Sequence, residues 1–99
     1  MLVIIGRVRV DEAELDDWTA LIERLVAESR DEPGCVSYTF GRDIHDPTTF
    51  HIAEEWTDRE ALLAHLGSAH FREWSRAVKD RTVHERVANV YEATKTSLG

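Results

Sequence analysis

The chain has 99 residues, enough for one hydrophobic core and too few for a second lobe, which excludes a dinucleotide-binding enzyme of the usual two-part kind. With 42% hydrophobic and 31% charged residues and eight aromatics, the composition is that of an ordered globular domain. The formal charge of −7 is concentrated between residues 11 and 32, where nine acids meet only Arg24 and Arg30; the remainder is balanced, so no basic stripe is present for nucleic acid or an anionic membrane.

Cys35 is the only cysteine, and no Cys cluster or His-x-x-x-His spacing offers a preformed metal site. No intrachain disulfide, metal or cofactor is expected, and a reducing cytoplasm is the expected compartment. The early apolar run Leu2 to Ile5 is broken by Gly6 and Arg7, so neither a signal peptide nor a spanning helix is expected.

Leu2–Val10 alternates as a strand, with Leu2, Ile4, Val8 and Val10 on one face and Val3, Ile5, Arg7 and Arg9 on the other. From Asp11 the period changes: Leu15, Trp18, Ile22, Leu25 and Val26 fall three and four apart, predicting a helix over Glu12–Arg30 with Asp11 and Glu14 as a capping pair. Asp31-Glu32-Pro33-Gly34 ends it. Cys35–Ile44 and Thr49–Trp56 alternate again around the turn-forming Asp43–Thr48 cluster and predict a hairpin. In the first of these strands Val36, Tyr38 and Phe40 share a side; in the second, Phe50, Ile52, Glu54 and Trp56 do.

Thr57 and Glu60 read as a capping box opening a second helical stretch. Gly67-Ser68 divides that stretch into Asp58–Leu66 and Ala69–Lys79, because glycine costs ~1 kcal/mol in a helix interior. Arg81 to about Glu92 reads as a fourth strand, with Val83, Val87 and Tyr91 on one face and His84, Ala88 and Val90 on the other.

The order β-α-β-β-α-β is an α+β, ferredoxin-like arrangement: a four-stranded antiparallel sheet with its helices on one face, in a single domain spanning 1–99. Every strand also carries apolar residues on its second face, which requires cover. Two sheets facing each other in a homodimer, a dimeric α+β barrel, supply it without extra residues.

Unusual side chains gather between Glu54 and Trp74. His65 borders the apolar stripe of its helix and can either accept a proton from a phenolic substrate, since imidazole titrates near neutrality, or brace the break at Gly67. His70 follows that break and points either to a pocket mouth or to solvent. Trp56, Phe71 and Trp74 are candidate pocket walls, with core or interface packing as the alternative. Glu54 and Glu55 must face opposite ways, so at most one enters a given cavity. Ser37 and Ser75 lack a nucleophile elbow, and Cys35 reads as a small packed residue.

Glu32-Pro33-Gly34-Cys35 with Tyr38, then Asp46-Pro47 and Phe50, then Glu54-x-Trp56, then Glu60-Ala61-Leu62-x-x-His65-Leu66-x-Ser68-x-His70-Phe71, together resemble the antibiotic biosynthesis monooxygenase domain family over nearly the whole chain. The resemblance implies a ferredoxin-like protomer, a homodimeric barrel and a pocket between helices and sheet. It further implies oxygenation of a quinol-type or polycyclic phenolic aromatic by molecular oxygen without a cofactor. On that reading His65 is the proton acceptor, Trp56, Phe71 and Trp74 line the pocket, His70 stands at its entrance, and Tyr38 and Glu54 are secondary candidates.

The haem-degrading branch of the family places an asparagine on the first strand and a histidine ligand on the second helix. This chain has Gly6 and Ser75 at the corresponding places, which disfavours that chemistry. A non-catalytic dimer that binds a small aromatic molecule is the alternative from a different class.

Overall fold

A computed structural model describes residues 1–99. Strands β1 (Leu2–Val10), β2 (Cys35–Arg42), β3 (Thr49–Trp56) and β4 (Val83–Glu92) form one antiparallel sheet in the order β2-β3-β1-β4. Helices α1 (Leu15–Arg30), α2 (Arg59–Leu66) and α3 (Ala69–Lys79) complete the ferredoxin-like arrangement, the second helical segment being split in two. None of them is long and apolar enough to cross a membrane.

The alternation of β1 places Leu2, Ile4, Val8 and Val10 in the core. Register then carries that face across the sheet: Ile4 stands opposite Glu54 on β3 and Val90 on β4, and Val8 opposite Phe50 and Arg86. Trp18, Ile22 and Leu25 of α1, Leu62 of α2 and Trp74 of α3 close the core from above. Burial of these side chains, at roughly 1.5–3 kcal/mol each, holds the helices against the sheet.

Several local details depart from the sequence reading, each for a physical reason. The first helix begins with a 3-10 turn over Glu12–Glu14, capped by Asp11 accepting from the Ala13 amide; Glu14 does not reach back but accepts from the Thr82 amide at 2.7 Å. At α2 the cap is Asp58, whose carboxylate accepts from the Ala61 amide at 2.8 Å, so Thr57 is not the capping residue. Strand β2 stops at Arg42 because Asp43 turns the chain, accepting from the His45 and Asp46 amides at 2.8 Å each.

Two register shifts break the assumed alternation. One between Cys35 and Ser37 leaves Val36 exposed rather than beside Tyr38 and Phe40. The other, where β4 passes Arg9 and Val10, pairs Val83 with Val10 on the core side while Val87 pairs with Arg7 on the opposite one. A bulge of one residue reverses every later side chain, which a strict period of two cannot anticipate.

The break at Gly67-Ser68 falls where expected, and Ser68 caps α3 by accepting from the Phe71 amide at 3.2 Å. Val3, Ile5, Ala53 and Tyr91 sit on the sheet face away from the helices, with Ile5 54% and Tyr91 49% exposed in the isolated chain.

Candidate functional site

The turn after α1 is the foundation of the site. Arg30 Nε donates to the Tyr38 carbonyl at 2.9 Å, the Cys35 amide donates to the Glu32 carbonyl at 3.2 Å, and Gly34 adopts φ +82°. A Cβ at Gly34 would come within 2.6 Å of Ala61 Cβ, so the turn lies tight against α2. This closeness brings Glu32 to the α2–α3 corner.

There Glu32 Oε2 lies 2.6 Å from His65 Nδ1 and 2.9 Å from His70 Nε2. His65 is 1% exposed and ringed by aromatics, its centroid 4.7 Å from Trp56, 5.0 Å from Phe71 and 5.2 Å from Tyr38. An ionised carboxylate only accepts hydrogen bonds, so Nδ1 carries the proton and the Nε2 lone pair faces the Tyr38 hydroxyl, 3.4 Å away. Burial lowers the His65 pKa, while Glu32 pulls it the other way by hydrogen bond and charge.

Tyr38 and Glu54 share the same neighbourhood. Burial, then the nearby Glu54 charge, pushes the Tyr38 phenol well above its usual range. Burial pushes Glu54 up to about 7, against the opposing effect of the Trp56 indole, whose Nε1 donates to Oε1 at 3.0 Å. Glu54 therefore changes charge near neutrality instead of remaining a fixed anion.

A cavity of about 220 Å³ opens between sheet and helices. His65, Tyr38, Glu54, Phe71 and Trp74 all line it, so most of the residues singled out in the sequence converge. Trp56 and His70 do not. Trp56 is fully buried behind the wall, its ring tilted 35° against His65, and His70 lies outside, against Glu32 and 3.6 Å from Glu28, rather than at an entrance to this cavity. Glu55 points to the other sheet face, as alternation requires.

Two further residues matter that the sequence reading passed over. Glu32 reads as part of a helix stop and of the family-like stretch Glu32-Pro33-Gly34-Cys35, and nothing local marks it as the partner of two histidines over 30 positions away. Arg86 reaches the cavity wall from β4, on the side whose facing residues Ala88 and Val90 remain exposed. Its role depends on the register shift described above. Trp18 also lines the cavity, and its buried indole Nε1 has no hydrogen-bond partner.

The remaining candidates are accounted for by their surroundings. Burial raises the Cys35 thiol pKa, with Glu32 and Glu54 adding to the effect, which opposes thiolate chemistry. At Gly6 a Cβ would stand 2.3 Å from the Val87 carbonyl oxygen, so an asparagine does not fit there and the arrangement of the haem-degrading branch is not reproduced.

Comparison with known proteins agrees with this fold. The family model described as antibiotic biosynthesis monooxygenase matches residues 1–77. A Synechocystis protein of uncharacterised function is 28% identical over 95 residues, covering 96% of this chain; the chain spans only 65% of that relative's length. A crystal structure of an antibiotic biosynthesis monooxygenase superposes with TM-score 0.86 at 28% identity, covering 96% of this chain and 100% of that one. A Deinococcus radiodurans structure gives TM-score 0.91 at 24% identity over 98% and 96% of the two chains, a likeness of fold.

Proposed function

The chain belongs to the antibiotic biosynthesis monooxygenase family, and from that membership and the cavity we propose that it is a cofactor-independent monooxygenase acting on an electron-rich phenolic aromatic with molecular oxygen. The observation that carries this reading is the buried His65. Its Nδ1 is tied to Glu32 and its Nε2 lone pair is turned toward Tyr38 and an apolar cavity.

In this mechanism the phenol enters with its hydroxyl toward Tyr38 and His65. Tyr38 passes the substrate proton to His65 Nε2, and the Glu32 carboxylate stabilises the resulting imidazolium. The electron-rich anion then reacts with oxygen between the apolar walls of the cavity. An anthrone-type substrate reacts as its enol: dioxygen gives one atom to the new ring carbonyl, and the other leaves as water with the remaining ring hydrogen and the proton returned by His65. No external reductant is required. At about 220 Å³ the enclosed space lies below the ~300–1,000 Å³ of typical ligand sites, which favours a one- or two-ring substrate, or a larger one that protrudes past β4.

Supporting the homodimer in this reading are the exposed apolar side chains Ile5 and Tyr91, which a second sheet would cover. The unpaired Cys35 suits a reducing cytoplasm.

The test is oxygen consumption with a panel of hydroquinones and anthrone-like phenols. His65→Ala, confirmed folded by circular dichroism, is expected to lower turnover by roughly 10²–10⁴-fold, the usual contribution of a positioned proton acceptor. Unchanged turnover refutes the role of His65. Saturable binding without oxygen uptake in the unaltered protein assigns it instead to a binding module.

A further inference from the structure

The geometry points to a divalent transition-metal site formed by Glu32, His65 and His70, of the kind zinc occupies, lying between the α1–β2 turn and the α2–α3 corner. The three ligand atoms, Glu32 Oε2, His65 Nδ1 and His70 Nε2, lie within 4.8 Å of one another. Two imidazoles and a carboxylate are a complete protein ligand set for an ion that keeps an open position for water. Ligand atoms of a tetrahedral zinc stand ~3.3 Å apart at bond lengths of ~2.0–2.1 Å, so binding requires Glu32 Oε2 to draw back from both nitrogens and the ion to take its place between the rings.

What distinguishes this cluster from an ordinary hydrogen-bonded trio is the far nitrogen of each ring. A histidine that coordinates through one nitrogen must carry its proton on the other, and metal-binding histidines are held there by an acceptor. His65 Nε2 has the Tyr38 oxygen at 3.4 Å, and His70 Nδ1 has Glu28 Oε2 at 3.6 Å. Both acceptors are already in place.

In the metal-free protein the His65 ring proton is on Nδ1, directed at Glu32; in the metal-bound protein it is on Nε2, directed at Tyr38. A change of the His65 tautomer therefore accompanies binding. The ion approaches past His70 and Glu28, whose side chains are 17% and 49% exposed, since His65 itself is enclosed.

Occupancy also bears on the proposed catalysis, and this part alone rests on that reading. With its Nδ1 on the metal, His65 presents an N–H to Tyr38 instead of a lone pair and no longer accepts a proton. The metal-bound form is then the inactive one.

Zinc chloride titrated calorimetrically into the full chain, with ¹⁵N NMR of the histidine side chains, tests the site without any substrate. One zinc per chain is expected, with the His65 proton moving from Nδ1 to Nε2. Glu32→Gln and His70→Asn should each weaken binding by more than the ~10–100-fold that loss of an outer hydrogen-bond partner costs. Absence of binding at about 1 mM zinc overturns the site, as does binding that leaves the His65 tautomer unchanged. Equal affinity in both folded variants also overturns it, assigning the ion to surface pairs such as His51 with Asp43. The tautomer readout needs no variant and so holds even if both fail to fold. If zinc binds and shifts the tautomer but oxygenase turnover is unaffected, the site stands and the role of His65 as proton acceptor fails.

Discussion

Replacing Glu54 by Gln isolates the energetic effect of one buried carboxyl. The folded protein pushes this group up to about 7 from an ordinary 4.5, chiefly by burial. Between those pH values the folded chain retains a proton that the unfolded chain has released, so stability falls as pH rises through the window and levels off above it. At about 1.4 kcal/mol per pKa unit, the shift from 4.5 to about 7 corresponds to roughly 3 kcal/mol. Glutamine keeps the shape and an oxygen for the Trp56 indole but never ionises. Glu54→Gln is therefore expected to be nearly neutral at pH 4 and more stable than the unaltered chain by about 3 kcal/mol at pH 8.

Urea unfolding followed by tryptophan fluorescence, at one fixed protein concentration because subunit association would contribute, measures the difference across pH. His65 acts in the opposite sense: its lowered pKa makes the folded state bind fewer protons than the unfolded one just below 6.5, so its contribution is lost as pH falls. That effect is common to both proteins and cancels in the difference. A variant-minus-parent stability that stays constant from pH 4 to pH 8 would refute the reasoning.

Further outcomes follow from local geometry. Gly34→Ala forces a side chain into a left-handed backbone conformation and against Ala61, and is expected to cost about 2–3 kcal/mol, read as a lower urea midpoint. Ser68→Ala removes the cap of α3 and should cost ~1 kcal/mol in the same assay. Trp74→Ala, which strips a cavity wall that also packs edge-on against Trp18, should cost roughly 3–5 kcal/mol in urea unfolding; a loss under 1 kcal/mol would show that Trp74 is not part of the core.

The fold was legible because its signals are periodic. Alternation in β1 and β3, the three-and-four spacing of α1 and the Gly67-Ser68 interruption each report a local rule that the tertiary structure obeys. The site was legible only in part. His65, Phe71 and Trp74 line the cavity from the helices and Tyr38 and Glu54 from the strands; pattern marked them as candidates, and the family resemblance supplied the pocket between the layers. Glu32 was hidden because its position depends on a left-handed glycine and the approach of two distant elements. Val83 and Arg86 were hidden because one bulge reverses the facing of β4. His70 and Trp56 were close to the right place in sequence but on the wrong side of His65, a difference of helix rotation and depth that spacing does not encode.

The uncovered inner side of β4 has a consequence for selectivity. Because Arg86, Ala88 and Val90 border the cavity yet remain exposed, the chamber is open to solvent along β4. Such a chamber measures only the portion of a molecule that is pushed inside. Compounds sharing one reactive ring but differing widely in what trails from it would be handled alike, and discrimination among them would rest with whatever meets the trailing part beyond Arg86.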